Sequence, residues 1–258
     1  MQVFLVRHAE SANNYLAEQL YQQNQSYEGF RERRAADPPL TRRGEEQAAV
    51  LADYLSSHPP KIQPIRLPDD LSQHPITEIV TSPMRRALQT TAPVSAALGI
   101  PAQVWVDIHE HGGMFDNSGP NGQLVPHSGL TRSQIQELLP GAILPPEVTE
   151  EGWWFQEGEE DMAGCFARAF RVAERLYEMA REEAGRQEAG QEERTLLMVT
   201  HGTFLGALFK ALFHNAPANH FFVNHFNTGI SQLSFTPEAF MIVRYINRVD
   251  HLPRHLVS

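Results

Sequence analysis

The stretch QVFLVRHAESANN, residues 2–14, decides the fold of this chain. It begins with four consecutive apolar residues, Val3 to Val6, and a run without polar alternation is typical of a strand buried on both faces of a parallel sheet. The run ends abruptly at Arg7 and His8. Because burying both side chains without partners would be costly, we expect them at the carboxyl end of the strand, in a cleft that solvent reaches.

Arginine and histidine at this position suggest a particular chemistry. The guanidinium of Arg7 offers a planar fork of donors that suits a phosphate or a carboxylate, and the imidazole of His8 can be neutral and nucleophilic near pH 7. The pair therefore indicates an anionic substrate that is attacked by histidine. From this stretch alone, a surface Arg-His pair without a function stays open as an alternative.

The composition limits the classes of protein to which the chain can belong. Its 258 residues suffice for a substantial core, and its formal net charge of -10 argues against a nucleic-acid-binding surface and against docking on anionic membranes. The single cysteine, Cys165, excludes an intrachain disulfide and a cysteine-rich metal site. Without a targeting segment or a membrane-spanning stretch in the sequence, we expect a soluble, cytoplasmic protein. The sequence leaves its oligomeric state open.

Strand-like and helix-like segments alternate along most of the chain. Thr41, for example, is a candidate N-cap for a helix that carries Ala48, Leu51, Ala52 and Leu55 at helical spacing. This alternation predicts an α/β fold, a three-layer sandwich with a mainly parallel central sheet flanked by helices. Further strands are predicted at 76–80, 103–108, 195–199, 230–235 and 240–246, and further helices at 162–180, at 204–212 and after a cap at Ser82, with Pro83 in first position, a kink at Pro93 and an end at Gly99.

Three segments depart from this alternation. Residues 15–36 are polar with loosely spaced apolar side chains, which favours a partly amphipathic helix lying over the cleft. Residues 112–160 are rich in glycine and proline, with one short helical signal at 131–139, and so long an irregular segment is more typical of a lid than of a linker. A proline-rich surface loop is predicted at 56–75. We expect one domain, 1–258, with lid-like insertions at 15–36 and 112–160.

Polar residues follow three of the predicted strands at the point where each ends. The carboxyl ends of parallel strands lie at one edge of a sheet, so one pocket could hold two arginines, two histidines and a carboxylate. An attacking histidine, cationic donors for the equatorial oxygens and an acid for the leaving alkoxide suffice for phosphoryl transfer. The residues concerned are Arg7-His8, His109-Glu110 and Thr200-His201-Gly202, together with Arg85 and Arg86 in the helix that follows Ser82.

Five short motifs lie in a fixed order across nearly the whole chain. They are Arg7-His8-Ala9-Glu10-Ser11 with Asn14, Leu40-Thr41-Arg42-Arg43-Gly44, Thr81-Ser82-Pro83-Met84-Arg85-Arg86-Ala87 with Thr90, Glu110, and Thr200-His201-Gly202. In this order, and in these strand and helix contexts, they resemble the motifs of the histidine phosphatase superfamily, the phosphoglycerate mutase-like proteins.

The resemblance implies a metal-independent phosphomonoester hydrolase that needs no cofactor and acts on a small phosphorylated metabolite through a phosphohistidine. It implies His8 as the nucleophile and Glu110 as the proton donor. Counting four residues on from Ser82, as in the family pattern, selects Arg86 over Arg85, and whether Arg85 also contacts phosphate stays open. The residues that the resemblance implies for binding phosphate or substrate are Arg7, Asn14, Arg86, His201 and Gly202.

The chain departs from the family pattern in three places. Ala9 stands where the family commonly has glycine, so we expect the backbone there to avoid conformations that only glycine tolerates. After Glu110 the usual glycine comes one residue early, as Gly113, which indicates an altered loop. The two insertions have no counterpart in the shortest members, so the resemblance does not imply a particular substrate.

Three other functions stay open. The first is mutase-type phosphoryl transfer, although glycine- and proline-rich insertions suit a loose lid that admits water better than a tight seal. The second is a metal-dependent hydrolase, because His109 and His111, two apart on an extended strand, could bind a metal with Glu110 nearby. The third is a non-catalytic phosphate-binding module, which the presence of both His8 and Glu110 disfavours.

Overall fold

The structure is a computed structural model, and it gives the architecture of most of the chain. The predicted loop at 56–75 lies mostly outside the described residues, as does Pro237, at which a turn is predicted between the last two strands. The described residues are 1–24, 26–57, 75–156, 158–214, 221–236 and 238–258.

Six strands form the central sheet, in the order β3-β2-β6-β1-β7-β8. The first four are parallel to one another, and the last two are antiparallel to their neighbours. A short antiparallel pair, β4 and β5, lies apart from this sheet. The strands are β1 (Gln2–Arg7), β2 (Glu78–Thr81), β3 (Ala102–Val104), β4 (Phe115–Asp116), β5 (Val125–Pro126), β6 (Thr195–Thr200), β7 (Ile230–Phe235) and β8 (Met241–Arg248).

Helices cover both faces of the sheet, so the predicted α/β sandwich with a mainly parallel sheet is confirmed. None of the helices among the described residues is long and apolar enough to cross a membrane. The α-helices are α1 (Ala12–Gln22), α2 (Tyr27–Arg33), α3 (Arg42–Ser56), α4 (Arg85–Leu98), α5 (Arg132–Leu138), α6 (Met162–Glu188) and α7 (Gly202–Leu212).

The apolar run of β1 explains why the sheet has a core on each side. Val3 and Leu5 point into a cluster with side chains of α6 and α7, whereas Phe4 and Val6 point into a cluster with side chains of α3, α4 and α5. All four side chains are fully buried. Burial of a side chain of this size stabilises the fold by about 1.5 to 3 kcal/mol, so four in a row place β1 firmly at the centre of the sheet.

Two predicted helix boundaries, the start of α3 and the end of α4, agree with the structure, whereas the predicted start of α4 does not. The hydroxyl of Thr41 accepts a hydrogen bond from the Gly44 backbone and caps α3. Helix α4 includes Pro93 and ends at Gly99, whose φ of 68° is the left-handed conformation that glycine adopts without strain. The N-cap of α4 is Met84, however, so the helix begins two residues later than the predicted Pro83.

The third strand is shorter than predicted. It ends at Val104, and residues Val106–Ile108 form a turn of 3₁₀-helix instead of continuing the strand. His109 therefore follows a helical turn, and the argument that His109 and His111 point the same way on an extended strand is wrong. Only His109 is buried, whereas His111 is partly exposed.

Candidate active site

His8 lies just beyond β1 and is buried, with an exposed fraction of 3 %. Its Nδ1 is 2.7 Å from the carbonyl oxygen of Ala9, an acceptor, so Nδ1 carries the proton and Nε2 has the lone pair. Burial, followed by the positive charges of Arg86 and Arg7, holds the pKa of His8 well below its usual value. The imidazole is therefore neutral at pH 7 and can act as a nucleophile through Nε2.

Arg86 and Arg7 bring two guanidinium groups into the surroundings of His8. Arg86 Nε donates a hydrogen bond of 3.1 Å to His8 Nε2, and Arg7 Nη1 donates to the carbonyl oxygen of His225. Burial lowers the pKa of both arginines, but an arginine keeps its charge at any physiological pH. Gly202 leaves room for Arg7, since a Cβ at this glycine would lie 3.3 Å from Arg7 Nε.

His201 comes from the end of the neighbouring strand β6 and is fully buried. The centres of its ring and the ring of His8 are 5.0 Å apart. Its Nε2 lies 2.7 Å from the hydroxyl of Ser82, and if this hydroxyl donates, the proton of His201 is on Nδ1. Burial, followed by the charge of Arg86, holds the pKa of His201 well below its usual value, so it too is neutral.

Two nitrogens of this site are buried without a partner among the described residues. They are Arg7 Nε and His201 Nδ1. A buried polar group that makes no hydrogen bond costs about 1 to 3 kcal/mol, and such groups are retained where a ligand completes them. An anion with several acceptor oxygens, bound beside His8, would satisfy both nitrogens.

The loop that carries His8 is held by the segment that follows Pro39. Ser11 and Leu40 form a β-bridge, and the Thr41 backbone donates to the carbonyl oxygen of Glu10. The buried carboxylate of Glu10 accepts hydrogen bonds from the Thr41 hydroxyl and from the guanidinium of Arg43. The motif Leu40 to Gly44 therefore supports the nucleophile loop and makes no hydrogen bond to His8 itself.

Ala9 fits this loop without strain. Its φ is not among the positive values found at other residues, as expected for an alanine that replaces glycine. The Ala9 backbone donates a hydrogen bond of 2.9 Å to the hydroxyl of Thr90, which in turn donates to the Arg86 carbonyl oxygen. The side chain of Thr90 thus connects the nucleophile loop to the helix that carries Arg86.

Glu110 reaches the start of α7. Its two carboxylate oxygens accept hydrogen bonds from the backbone of His111, Thr203 and Phe204, at 2.9 to 3.2 Å. Free N–H groups at a helix start favour a negative charge, and the side chain of His201, the N-cap residue, makes no cap bond there. Glu110 consequently takes the place of an N-cap side chain, and it is close enough to Arg7 and Arg86 for its charge to raise the pKa of both, against the larger opposing effect of burial.

Asn14 lies at the edge of the site in a capping box. Its oxygen accepts hydrogen bonds from the backbone and hydroxyl of Ser11 and, at 3.4 Å, from the amide of Asn227. Among the described residues, all of these contacts use the oxygen of Asn14. This orientation leaves its amide nitrogen as the group available to an incoming anion.

His109 lies in a separate buried cluster. Its ring packs against Trp153 and Trp154, and burial, followed by the charge of Arg168, lowers its pKa to about 3. The nearest carboxylate, Glu160, is 3.8 Å from its Nε2 and is paired in two hydrogen bonds with Arg168. Among the described residues no group of three or more histidine, cysteine, aspartate or glutamate side chains could hold a metal ion.

Comparison with known families agrees with this geometry. The model of the histidine phosphatase superfamily, branch 1, matches residues 3–248. This chain belongs to branch 1 of the histidine phosphatase superfamily. No curated protein matches the sequence of this chain significantly.

Solved structures of the same fold include three phosphatases. A mycobacterial glucosyl-3-phosphoglycerate phosphatase is 21 % identical with a TM-score of 0.54, covering 96 % of this chain and 99 % of its own. A putative alpha-ribazole-5'-P phosphatase from Escherichia coli is 20 % identical (TM-score 0.54, 96 % and 97 % covered). A phosphoserine phosphatase from Entamoeba histolytica, in complex with 3-phosphoglyceric acid, is 16 % identical (TM-score 0.54, 98 % and 99 % covered). The likeness establishes a shared fold.

Asp37 is a further candidate site residue, and the sequence alone did not indicate it. One of its oxygens is 3.8 Å from Arg86 Nη1, and both oxygens accept a hydrogen bond from the Arg85 backbone at the start of α4. Burial raises the pKa of Asp37 to about 6, against the opposing effect of Arg86. Its position three residues before Leu40 in the second motif is the one signal that could have drawn attention to it.

Ser82, Gln47 and Asn227 were also missed as site residues. Ser82 was considered only as a helix cap, although its hydroxyl contacts His201. Gln47 Oε1 accepts from the Glu10 backbone, and Asn227 Nδ2 donates to the carbonyl oxygen of His8. Nothing in the sequence around either amide indicates this contact, because their partners are brought near only by the folded chain.

Proposed function

We propose that this protein is a phosphomonoester hydrolase that acts on a small phosphorylated metabolite through a phosphohistidine at His8. The observation that carries the proposal is the neutral, buried imidazole of His8, with its tautomer fixed by Ala9 and its Nε2 facing Arg86. Membership of the histidine phosphatase superfamily and the names of the similar structures, all phosphatases of small phosphorylated molecules, support it.

The reaction takes place in two steps. In the first, Nε2 of His8 attacks phosphorus, the bond to the leaving oxygen breaks, and Glu110 gives that oxygen its proton. Arg7, Arg86 and His201 donate hydrogen bonds to the three other oxygens, where negative charge is spread in the transition state. In the second, water attacks the phosphohistidine, the carboxylate of Glu110 takes its proton, and His8 leaves as the neutral imidazole.

Rapid quenching tests the central step. With a labelled substrate, the wild type should give an acid-labile, alkali-stable phosphoenzyme, which should be absent from His8→Ala. His127→Ala, which removes an exposed histidine paired with Asp116, serves as the control and should keep the phosphoenzyme. Turnover at the wild-type rate in His8→Ala would contradict the proposal.

We further propose that catalysis needs no metal, because Arg7 and Arg86 can supply the positive charge that a metal supplies in other phosphatases, with the neutral His201 as a further hydrogen-bond donor. Activity is expected to survive exhaustive chelation, and vanadate, which mimics the five-coordinate transition state, is expected to inhibit. Loss of activity on chelation, with recovery in zinc or manganese, would contradict this.

Hydrolysis, and not mutase-type transfer, is the reaction that we propose. The segment 112–160 has few regular elements beyond two short strands and α5, which suits an entrance that admits water to the phosphohistidine. The discriminating measurement compares phosphate release with isomerisation of phosphoglycerates. Faster isomerisation would favour the mutase.

A further inference from the structure

Two buried primary amides hold the backbone on either side of the nucleophile. The oxygen of Gln47 accepts a 2.7 Å hydrogen bond from the Glu10 backbone. The nitrogen of Asn227 donates a 2.8 Å hydrogen bond to the carbonyl oxygen of His8. Both side chains are almost completely buried, with exposed fractions of 0 % and 2 %, so neither can exchange these partners for water.

The opposite ends of both amides meet at Ser258. Gln47 Nε2 donates to the Leu256 carbonyl oxygen at 2.6 Å and to the Ser258 hydroxyl at 2.9 Å. The same hydroxyl donates to Asn227 Oδ1 at 3.3 Å, and the Asn227 backbone donates to the Ser258 carbonyl oxygen at 2.8 Å. Each polar atom in this chain of contacts has the donor or acceptor that its chemistry requires.

The Leu256 carbonyl oxygen and the Ser258 hydroxyl together decide which end of each amide faces the loop of His8. The Leu256 carbonyl oxygen can only accept, so it selects the nitrogen of Gln47, and the Ser258 hydroxyl, which accepts from the same nitrogen, directs its proton to Asn227 Oδ1. A primary amide can turn by half a rotation at little steric cost, which exchanges its donor and its acceptor. With the nitrogen of Gln47 and the oxygen of Asn227 both engaged by Ser258, the loop meets the acceptor of Gln47 and the donor of Asn227. These are the ends that fit Glu10 N–H and the carbonyl oxygen of His8.

We propose that Ser258 is a positioning residue for the nucleophile, acting through Gln47 and Asn227 on the backbone of residues 8–10. This role rests on the proposed function of His8. In-line attack requires the imidazole to be held close to its reactive geometry, and a misplacement of about 1 Å can cost roughly 10²-fold in rate. Ser258 makes no hydrogen bond to Arg7, Arg86 or His201 among the described residues, so these three donors keep their positions without it.

The test compares three variants of the full chain. Ser258→Ala removes the hydroxyl, Ser258→Thr keeps it, and His255→Ala removes an exposed side chain from the same segment as the control. Loss of one neutral hydrogen-bond network of this kind should slow phosphohistidine formation about five- to ten-fold in Ser258→Ala. Competitive inhibition by inorganic phosphate should stay unchanged, Ser258→Thr should recover most of the rate, and His255→Ala should behave as the wild type.

Hydrogen exchange of the substrate-free protein separates this proposal from the proposed function. The backbone amides of residues 8–10 should exchange faster in Ser258→Ala than in the wild type, Ser258→Thr and His255→Ala. If the wild type forms no phosphoenzyme but Ser258→Ala still exchanges faster than the wild type, the positioning role of Ser258 is supported and the catalytic role of His8 is rejected. Unchanged exchange in Ser258→Ala, or a loss of rate in proportion to a loss of phosphate binding, would overturn the positioning role.

Discussion

His8 and Glu110, the proposed nucleophile and the proposed proton donor, are held by different kinds of contact. Side chains from distant segments hold the loop of His8, among them the buried Gln47 and Asn227 and the partly exposed Arg43. Glu110 instead is held by backbone N–H groups at the start of α7. The position of the His8 loop therefore depends on which side chains stand at these distant positions. The position of Glu110 depends instead on how closely its loop approaches the backbone at the start of α7.

The loop of Glu110 depends on a buried ion pair as well. Arg168 Nη1 donates to the carbonyl oxygens of Asp107 and His109, while its other nitrogens pair with Glu160. Glu160 also ties the two ends of the segment 112–160 together, because its backbone donates to the carbonyl oxygen of Gly112. This segment thus contributes to the position of Glu110, and substitutions can test the surroundings of Glu110 separately from those of His8.

The largest effect is expected from Glu110→Gln with an alkyl phosphate. An alkoxide needs a proton in the transition state, so the rate should fall by about 10² to 10⁴. With p-nitrophenyl phosphate the loss should be far smaller, because nitrophenolate is already a stable anion. The measurement is kcat/KM for both substrates.

This variant also changes the contact with α7. The nitrogen of the new amide would face a backbone N–H of Thr203 or His111, and two donors cannot bond to each other. The melting temperature of the variant therefore has to be compared with that of the wild type. Equal slowing of both substrates, in a protein of unchanged stability, would mean that Glu110 positions substrate and is not the acid.

Next in size is the effect of Arg168→Met on stability. The change leaves Glu160 buried without its ion-pair partner, which should lower the free energy of unfolding by about 3 to 5 kcal/mol in urea titrations. The double variant Arg168→Met/Glu160→Met should recover most of that loss.

If Arg168 positions the Glu110 loop, the double variant should still be slow with alkyl phosphates and nearly normal with p-nitrophenyl phosphate. Normal rates with both substrates would limit Arg168 to a structural role.

A smaller effect on kcat/KM is expected from a change beside His8, where the neighbouring residues Arg85 and Arg86 provide a matched pair of variants. Arg86→Lys removes the fork that contacts His8, so kcat/KM should fall by about 10² to 10³ for alkyl and aryl phosphates alike. Arg85→Lys, at the neighbouring position, should change it little. A comparable loss in Arg85→Lys would show that both arginines contact phosphate.

The smallest effect concerns the pH dependence of stability at His109. Its folded pKa of about 3 lies below the ordinary 6.5, so between these values the unfolded chain binds one more proton than the folded protein. Stability from this group is therefore present above pH 6.5 and is lost as the pH falls, by about 1.4 kcal/mol per unit. His109→Gln should reduce the slope of unfolding free energy against pH by that amount between pH 6 and 4. An unchanged slope in His109→Gln would contradict a neutral, buried His109.

Much of the fold could be predicted from sequence because its signals are local. The apolar run of β1, the cap at Thr41, the left-handed end at Gly99 and the periodic face of α6 each depend on neighbouring residues. The errors at Pro83 and at 103–108 also concern local structure, at a helix start and at a strand end where short turns compete with regular elements.

The sequence by itself determined that Arg7, His8 and His201 would lie together. Each follows or ends a strand, and parallel strands bring their carboxyl ends to one edge of the sheet. Only the tertiary structure decided what surrounds them: the amide of Asn227 bonds to a residue 219 positions away, and Glu110 to a backbone group 94 positions away. Such contacts leave no periodic or motif signal, because a buried polar atom needs only some partner of the right kind, and the packing of the whole chain selects which one it meets.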